Sequence, residues 1–181
     1  MFILLPIYFY SQNCDDSSIK TKIKKYNGNI SFRKKAEIAF DIATCYKSKN
    51  DSLYIYWLTQ IIDNNKKDYG HPKQISQKIN QLYQTGFAYY KLKDYKASET
   101  FFEKAIYGNR KSNSPILDSL VYLYYGISLY KNNKFTESID NLNIYKLSQP
   151  TDTISDIYIK KCNLEESEKN KPKYFNKKYI E

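Results

Sequence analysis

The sequence predicts an all-α fold built from helical hairpins. Its 181 residues include only 5 Gly and 5 Pro, which is little turn chemistry for an all-β protein. Strict alternation of apolar and polar residues is nowhere sustained, whereas small and apolar residues recur at helical spacing. Hydrophobic residues make up 41% of the chain, which is ample for a buried core. We therefore expect one all-α domain, with or without a tail.

The chain opens with an uncharged apolar run from Phe2 to Tyr10, within residues 1–11. The run has the length of a signal-peptide core and is too short to span a bilayer as a helix. It resembles bacterial export signals, with cleavage after Ser11. No Lys or Arg precedes it, and Phe9 stands where signal peptidase prefers a small side chain. We expect an exported protein, periplasmic or secreted. The alternative is a cytoplasmic protein whose apolar N-terminal strand or helix packs on the domain.

A polar, basic segment is expected over residues 12–31, with a turn at 27–29, where the sequence reads Asn-Gly-Asn. Cys14 lies in this segment, whereas Cys45 and Cys162 fall on apolar faces of predicted helices. We expect Cys45 and Cys162 to be buried structural thiols. In an oxidising compartment, Cys14 could instead pair with Cys45. The spacing of the three cysteines excludes a zinc site.

The first clear predicted helix begins near Phe32, and a second follows residues 49–51. In the first, apolar residues share one face at helical spacing: Ile38, Ala39, Ile42, Ala43 and Tyr46. In the second, two neighbouring apolar stripes predict extensive burial: Leu53, Trp57 and Ile61, and Tyr54, Leu58 and Ile62. A loop is expected over residues 64–72.

Residues 79–110 predict two antiparallel helices joined by a short turn at Lys93-Asp94. Small and aromatic residues follow a fixed series of offsets, 0, 3, 9, 12, 16 and 19: Gly86, Tyr89, Tyr95, Ser98, Phe102 and Ala105. Because Gly86 has no side chain, the second helix can approach it closely. This contact must offset the helix cost of Gly, about 1 kcal/mol relative to Ala.

The same six offsets recur downstream: Gly126, Leu129, Phe135, Ser138, Leu142 and Tyr145. The two Gly positions are 126 − 86 = 40 residues apart. A polar linker over residues 109–113 separates the copies. Ser114 and Pro115 then predict a helix start, and Pro150 ends the second copy.

This pattern resembles the helix-turn-helix of the tetratricopeptide repeat family, whose period is about 34 residues. The resemblance implies an α-solenoid over residues 32–164, with about three hairpins and a C-terminal capping helix. The hairpin that begins near Phe32 is a degenerate copy, because bulky Ile55, Tyr56 and Trp57 stand where a small residue is expected.

The last predicted helix is capped by Thr153 and carries the apolar residues Ile154, Ile157, Tyr158 and Cys162. We expect it to cover the apolar face that the final hairpin would otherwise leave in water. A charged, basic tail is expected over residues 165–181.

No catalytic constellation is readable in the sequence. His71 is the single histidine and stands beside Pro72 in a predicted loop, so it has no partner for a metal site or for activating a nucleophile. Phosphate-binding Gly-rich loops and nucleophile-elbow motifs are also absent from the sequence. We predict that the protein is not an enzyme and needs neither metal nor cofactor.

The resemblance implies a concave face lined by the first helix of each hairpin. These positions are Asn80, Tyr83, Phe87, Tyr90, Lys91, Leu123, Ile127, Tyr130 and Lys131. Aromatic and apolar groups flanked by Lys suit a protein partner with an acidic or aromatic segment. The alternative is that these residues pack in the core. Tyr83, Tyr90 and Tyr130 are the better candidates for the binding surface, because their hydroxyl groups need a polar environment. The Lys and Asn clamp with which some family members grip chaperone C-termini is missing.

The expected function is therefore that of an exported protein–protein interaction module, an adaptor in general terms. An immunity protein that neutralises a toxin is a specialised form of this hypothesis. The alternative is nucleic-acid binding, suggested by the net charge of +10 and the 20 Tyr residues. Against it, the basic residues concentrate near the two ends of the chain. Self-association through the apolar positions is a further alternative.

Overall fold

The computed structural model describes residues 14–68, 75–112 and 116–169. In these ranges every regular element is an α-helix, which confirms the predicted all-α class. The chain divides into two compact units, Met1–Lys73 and Gln74–Glu181, and each is described by itself. Several predicted features lie outside the described residues: the apolar run 1–11, His71, the Ser114-Pro115 helix start and the tail from residue 170 onward.

The first unit contains three helices: α1 (Asp16–Tyr26), α2 (Phe32–Tyr46) and α3 (Asp51–Asp68). Helices α2 and α3 pack together as a hairpin, and α1 packs on α2. Asp15 caps α1 by accepting the N–H of Ser18 at 2.7 Å. The basic segment thus holds a helix that the sequence analysis missed, anchored by the buried side chain of Ile19.

A disulfide joins Cys14, just before α1, to Cys45 in the last turn of α2, with 5.3 Å between the two Cα atoms. Of the two states that the sequence left open for Cys45, the structure has the disulfide with Cys14 rather than the favoured thiol, and its side chain is buried as expected. The bond forms because α1 packs on α2 and brings Cys14 within reach. Cys162 is a free, buried cysteine, as predicted.

Helix α3 extends beyond residue 64, where the sequence predicted a loop. Asn64 and Asn65 are buried in its final turns. The amide of Asn64 donates to the Tyr26 hydroxyl at 2.9 Å and to the Gln60 carbonyl at 2.7 Å. Contact with Tyr26 of α1 thus satisfies the side-chain amide of Asn64, which would otherwise favour a loop.

The second unit contains five helices: α4 (Ile75–Lys91), α5 (Tyr95–Lys111), α6 (Leu120–Lys131), α7 (Phe135–Ser148) and α8 (Thr153–Lys169). Helices α4 and α5 form one hairpin, and α6 and α7 form the next. Helix α5 also packs on α6, and α7 packs on α8. Helix α6 also contacts α4, the first helix of the preceding hairpin, and α8, the last helix.

In each of the two hairpins, the paired helices approach each other closely at a glycine. A Cβ atom on Gly86 would lie 2.9 Å from the Phe102 ring, and one on Gly126 would lie 2.8 Å from Cγ of Leu142. Both contacts are shorter than carbon atoms tolerate, so these positions exclude a side chain unless a neighbour moves. The aromatic and large apolar residues predicted to fill each hairpin therefore do lie against its glycine.

Small polar side chains connect adjacent helices inside this core. The Ser138 hydroxyl donates to the carbonyl of Gly126 at 2.7 Å and accepts from the Cys162 thiol at 3.4 Å. The hydroxyl oxygens of Ser98 and Ser128 are 3.1 Å apart and share a hydrogen bond between α5 and α6. The four side chains are buried.

The turns of the two hairpins have the same geometry. Lys93 and Asn133, which are 133 − 93 = 40 residues apart, have φ values of 64° and 61°. After α4, the N–H of Lys93 bonds the Tyr90 carbonyl and the N–H of Asp94 bonds the Tyr89 carbonyl. The corresponding pair of bonds follows α6. Both helices therefore end in a Schellman motif, in which Gly is the usual residue at the left-handed position.

Replacing Lys93 with Gly should stabilise the second unit by about 0.5–1 kcal/mol, because a side chain is disfavoured at this φ. Urea denaturation followed by circular dichroism checks this through the unfolding midpoint. The control is Lys104→Gly, at an exposed position in the middle of α5, which should destabilise by about 1 kcal/mol. A loss of stability in both variants would contradict the role given to the turn.

The connection between the hairpins differs from the prediction. Helix α5 continues to Lys111, and α6 begins only at Leu120, so residues 116–118 are not helical. Buried Asn109 accepts the N–H groups of Ile116 and Leu117 through Oδ1, at 2.8 and 3.2 Å. These bonds hold Ile116 and Leu117 in a non-helical conformation. Helix α6 therefore begins later than the sequence predicted from Ser114 and Pro115.

Helix α7 ends at Ser148, before Pro150, as predicted. At the start of α8, Asp152 rather than Thr153 supplies the cap, since its carboxylate accepts the N–H of Ile154 at 2.8 Å. Helix α8 reaches Lys169 and so includes the first residues of the expected tail. It buries Cys162 against α7 but leaves other apolar side chains exposed: Ile154, Ile157 and Leu164.

Candidate functional site

Aromatic side chains from three helices meet in the second unit. We call the following residues the aromatic face: Tyr83, Phe87 and Tyr90 of α4, Tyr124 and Tyr130 of α6, and Tyr158 of α8. Phe87 packs edge-on against Tyr124, with 5.3 Å between ring centroids, and Tyr90 lies 5.0 Å from Tyr124. Tyr130 packs edge-on against Tyr158 at 5.4 Å. Each of the six side chains is half-buried, so the face is partly open to solvent.

Helical spacing explains why α4 contributes three of these rings. Tyr83, Phe87, Tyr90 and Lys91 stand at i, i+4, i+7 and i+8, which places them on one side of the helix. Because α6 packs beside α4, the ring of Tyr124 fits between Phe87 and Tyr90. The face is thus a product of both the helix period and the contact between hairpins.

Lysine ammonium groups lie over the rings of this face. The Lys91 nitrogen is 5.1 Å from the ring centroids of Phe87 and Tyr90 and 5.3 Å from that of Tyr124. These distances fall within the range of cation–π attraction. The aromatic face is therefore positively charged at its α4 end.

Two more lysines continue the arrangement along the face. Lys131 lies 5.6 Å from the ring centroid of Tyr130 and 5.9 Å from that of Tyr95, and Lys161 lies 5.0 Å from Tyr158. Tyr95 also packs against Tyr90, with 6.0 Å between centroids, and so links the two groups of rings. Each of the three helices thus contributes a lysine to the aromatic face.

The hydroxyl groups of Tyr83, Tyr90 and Tyr124 remain protonated at neutral pH. Burial raises the pKa of Tyr90 well above its usual value, and negative charge on the neighbouring Tyr158 and Tyr124 would raise it further. Burial, followed by the nearby Asp118 carboxylate, likewise raises the pKa of Tyr83 and of Tyr124. These phenols can therefore donate hydrogen bonds to a bound ligand.

The structure brings together most of the predicted partner-binding residues. Tyr83, Phe87, Tyr90, Lys91 and Tyr130 belong to the aromatic face or lie over it, as does Lys131. The side chain of Asn80 is half-buried on the same helix as Tyr83, one helical turn earlier.

Leu123 and Ile127 were also predicted to line the binding surface, but they are core residues. Each is only 4% exposed and packs with Leu142 and Tyr145 of α7. Tyr158 of α8 packs against the same cluster. Burial by α7 and α8 therefore removes Leu123 and Ile127 from the candidate site.

Three members of the site were missed as binding residues. Tyr124 and Tyr158 were not predicted to bind a partner. The binding residues were chosen at equivalent positions of the two hairpins, and neither Tyr124 nor Tyr158 stands at such a position. Lys161 follows Tyr158 at i+3, which was the available signal that both share one side of α8.

Within the described ranges, no group of His, Cys, Asp and Glu side chains is arranged to hold a metal ion. No helix in the part of the chain that the structure describes has both the length and the hydropathy needed to cross a bilayer. Comparison of the chain with protein-family models and with curated proteins finds no match.

Proposed function

We propose that this chain is an exported helical-repeat module that binds a protein partner through the aromatic face. The observation that carries the proposal is the set of half-buried tyrosines on α4, α6 and α8, over which Lys91, Lys131 and Lys161 lie. Tyrosine supplies apolar contact area, a hydrogen-bonding tip and few rotatable bonds, and it is enriched at protein interfaces. No comparable apolar surface is needed to bind a simple inorganic ion.

The charge of the face favours an acidic partner. Carboxylates on the partner would meet the three ammonium groups, and its apolar or aromatic side chains would lie on the rings. Because the lysines are held by cation–π contacts, a partner would order them at a smaller entropic cost than it would freely rotating lysines. We therefore expect recognition of a segment that combines acidic and aromatic residues.

The finer architecture that we propose is a solenoid of tetratricopeptide-like hairpins. The support lies in the 40-residue interval that separates Gly86 from Gly126 and Lys93 from Asn133. Each of these two pairs repeats one local feature. Both glycines pack against a large side chain, and both turn residues have a positive φ. Repeated supersecondary units of this kind stack through contacts with their neighbours.

The disulfide supports the proposed export. Disulfides such as Cys14–Cys45 persist in oxidising compartments and are rare where thiol reductants are abundant. The apolar run at residues 1–11 offers the matching export signal. Both observations favour a periplasmic or secreted protein.

Substitution of the face lysines should weaken binding of the partner. The variant carries Lys91→Gln, Lys131→Gln and Lys161→Gln, and the matched control carries Lys47→Gln, Lys96→Gln and Lys104→Gln at exposed positions. We expect binding of the captured partner to weaken at least about tenfold in the first variant only, because lost interface charges change association and affinity together.

The measurement is affinity capture from an extract of the source organism, followed by titration of the captured protein against both variants. Equal binding by both would overturn the assignment of the face. Loss of all captured material after nuclease treatment would favour the nucleic-acid alternative, since net charge alone would then account for binding.

A further inference from the structure

A cleft with a volume of about 330 Å³ lies between α5 and α7, on a different part of the second unit from the aromatic face. Glu103, Tyr107 and Arg110 of α5 form one wall, and Glu137 and Asp140 of α7 form the other. Tyr125 of α6 lies between the two walls. The cleft is therefore both aromatic and acidic.

The carboxylates of the cleft outnumber its cations. Among the residues that line the cleft, Glu103, Glu137 and Asp140 accompany one cation, Arg110, and none of the three forms an ion pair with another described residue. Two ammonium groups lie nearby: that of Lys134, whose pKa is raised first by its hydrogen bond to Glu99 and also by Glu137 and Glu103, and that of Lys111, 4.4 Å from the ring centroid of Tyr107. Burial, followed by the carboxylates of Glu103, Glu99 and Glu137, raises the pKa of Tyr125 to about 12. Three carboxylates thus act on Tyr125 against the one opposing charge of Arg110, in a chain whose net charge is +10.

The chain leaves α8 close to this cleft. In the last turns of α8, Glu166 accepts a hydrogen bond from the Thr136 hydroxyl at 2.8 Å, and the Lys169 nitrogen lies 4.3 Å from the Phe135 ring centroid. Phe135 and Thr136 begin α7, and Glu137 is the next residue. Lys169, the last described residue of α8, therefore lies beside the end of α7 that bears the acidic wall.

The segment 170–181 has the chemistry that the cleft would bind. It contains four lysines and a single acidic residue, and aromatic residues stand between the lysines: Lys171, Lys173, Tyr174, Phe175, Lys177, Lys178, Tyr179 and Glu181. Basic side chains suit the three carboxylates, and rings suit contact with Tyr107 and Tyr125.

We propose that residues 170–181 dock in the acidic cleft between α5 and α7 of the same chain. To reach it, the segment crosses α7, a width of about 10 Å, which needs about three or four extended residues. Twelve residues are available, 181 − 169 = 12. Because the segment is tethered, its effective concentration is on the order of mM, so a contact with a dissociation constant below about 1 mM is mostly occupied.

Carbodiimide cross-linking of the full chain tests the proposal. The reagent joins a lysine amine to a carboxylate through an amide bond only when the two groups are in contact. We expect mass spectrometry to find Lys171, Lys173, Lys177 or Lys178 joined to Glu103, on the far wall of the cleft. Mixing isotope-labelled and unlabelled chains distinguishes links within one chain from links between two.

A pair of variants provides the control. Glu103→Gln with Asp140→Asn keeps Glu137 and should reduce links from the segment to Glu137 at least about fivefold, because the docked state loses charge partners. Asp63→Asn with Glu165→Gln removes as many charges elsewhere and should leave those links unchanged. The proposal is overturned if the lysines link only to residues 165–168, only between chains, or equally in both variants.

Discussion

Loss of the Cys14–Cys45 disulfide should destabilise the first unit by about 3–4 kcal/mol, as the loop-entropy model of disulfides predicts. The bond joins residues 31 apart in sequence and encloses all of α1. Without it the unfolded chain gains the freedom that loop closure removes. The first unit has only three described helices, so this is a large share of the stability that so small a unit can have.

The single tryptophan of the chain makes the measurement specific to this unit. Trp57 is 5% exposed in α3 and packs edge-on against Tyr26 and Tyr56, with centroid distances of 5.0 and 5.2 Å. Its fluorescence should change when the unit unfolds. For a small unit with a urea m-value of about 1 kcal/mol/M, a reductant should lower the midpoint by about 3 M.

Cys14→Ser is the appropriate variant, because Cys14 is half-buried and its replacement leaves the buried Cys45 in place. The variant should match the reduced wild type and ignore reductant. Cys162→Ser, in the second unit, should keep the response of Trp57 to reductant. An unchanged midpoint on reduction, with two thiols newly titrated, would show that the bridge contributes nothing to stability.

The second large effect concerns the close contact between Gly126 and Leu142. Leu142→Ala should cost about 2–5 kcal/mol, because it removes a fully buried side chain and leaves a cavity. Gly126→Ala should cost about 1–3 kcal/mol, because its Cβ would lie 2.8 Å from Leu142 Cγ and 3.3 Å from the Ser138 carbonyl. The two changes together should cost clearly less than their sum, since the new methyl group enters the vacated space.

Urea denaturation of the four proteins in this cycle gives the coupling energy, which we expect to be about 1–2 kcal/mol. Gly86→Ala combined with Leu142→Ala is the matched control. Gly86 meets Phe102 rather than Leu142, so these costs should add to within about 0.5 kcal/mol. Additive costs in both pairs would mean that α6 and α7 move apart to admit the new methyl group.

Local spacing in the sequence predicted the hairpins of the second unit well. Gly86 and Phe102 stand 16 residues apart, and this offset suffices to place them opposite one another across a short turn. The missed features depend on partners distant in sequence. Helix α1 carries few apolar residues and is held by packing on α2 and by the disulfide. Asn64 stays helical because its side-chain amide donates a hydrogen bond to the Tyr26 hydroxyl.

The candidate site shows the same division. The α4 positions of the aromatic face follow from helical spacing alone, so Tyr83, Tyr90 and Lys91 were predictable. The burial of Leu123 and Ile127 depends on how α7 and α8 cover α6, which no local pattern specifies. The acidic cleft likewise combines Glu103 and Asp140 from helices that meet only in the folded unit.

The small polar groups in the core have a consequence for how the surface can change. Ser138 links α6, α7 and α8 through one hydroxyl, and Ser98 and Ser128 link α5 to α6. These bonds fix the axial position of each helix against the next, since a slide of one residue would break all of them. Substitutions among the tyrosines and lysines of the surface can therefore change its chemistry while the helices keep their register.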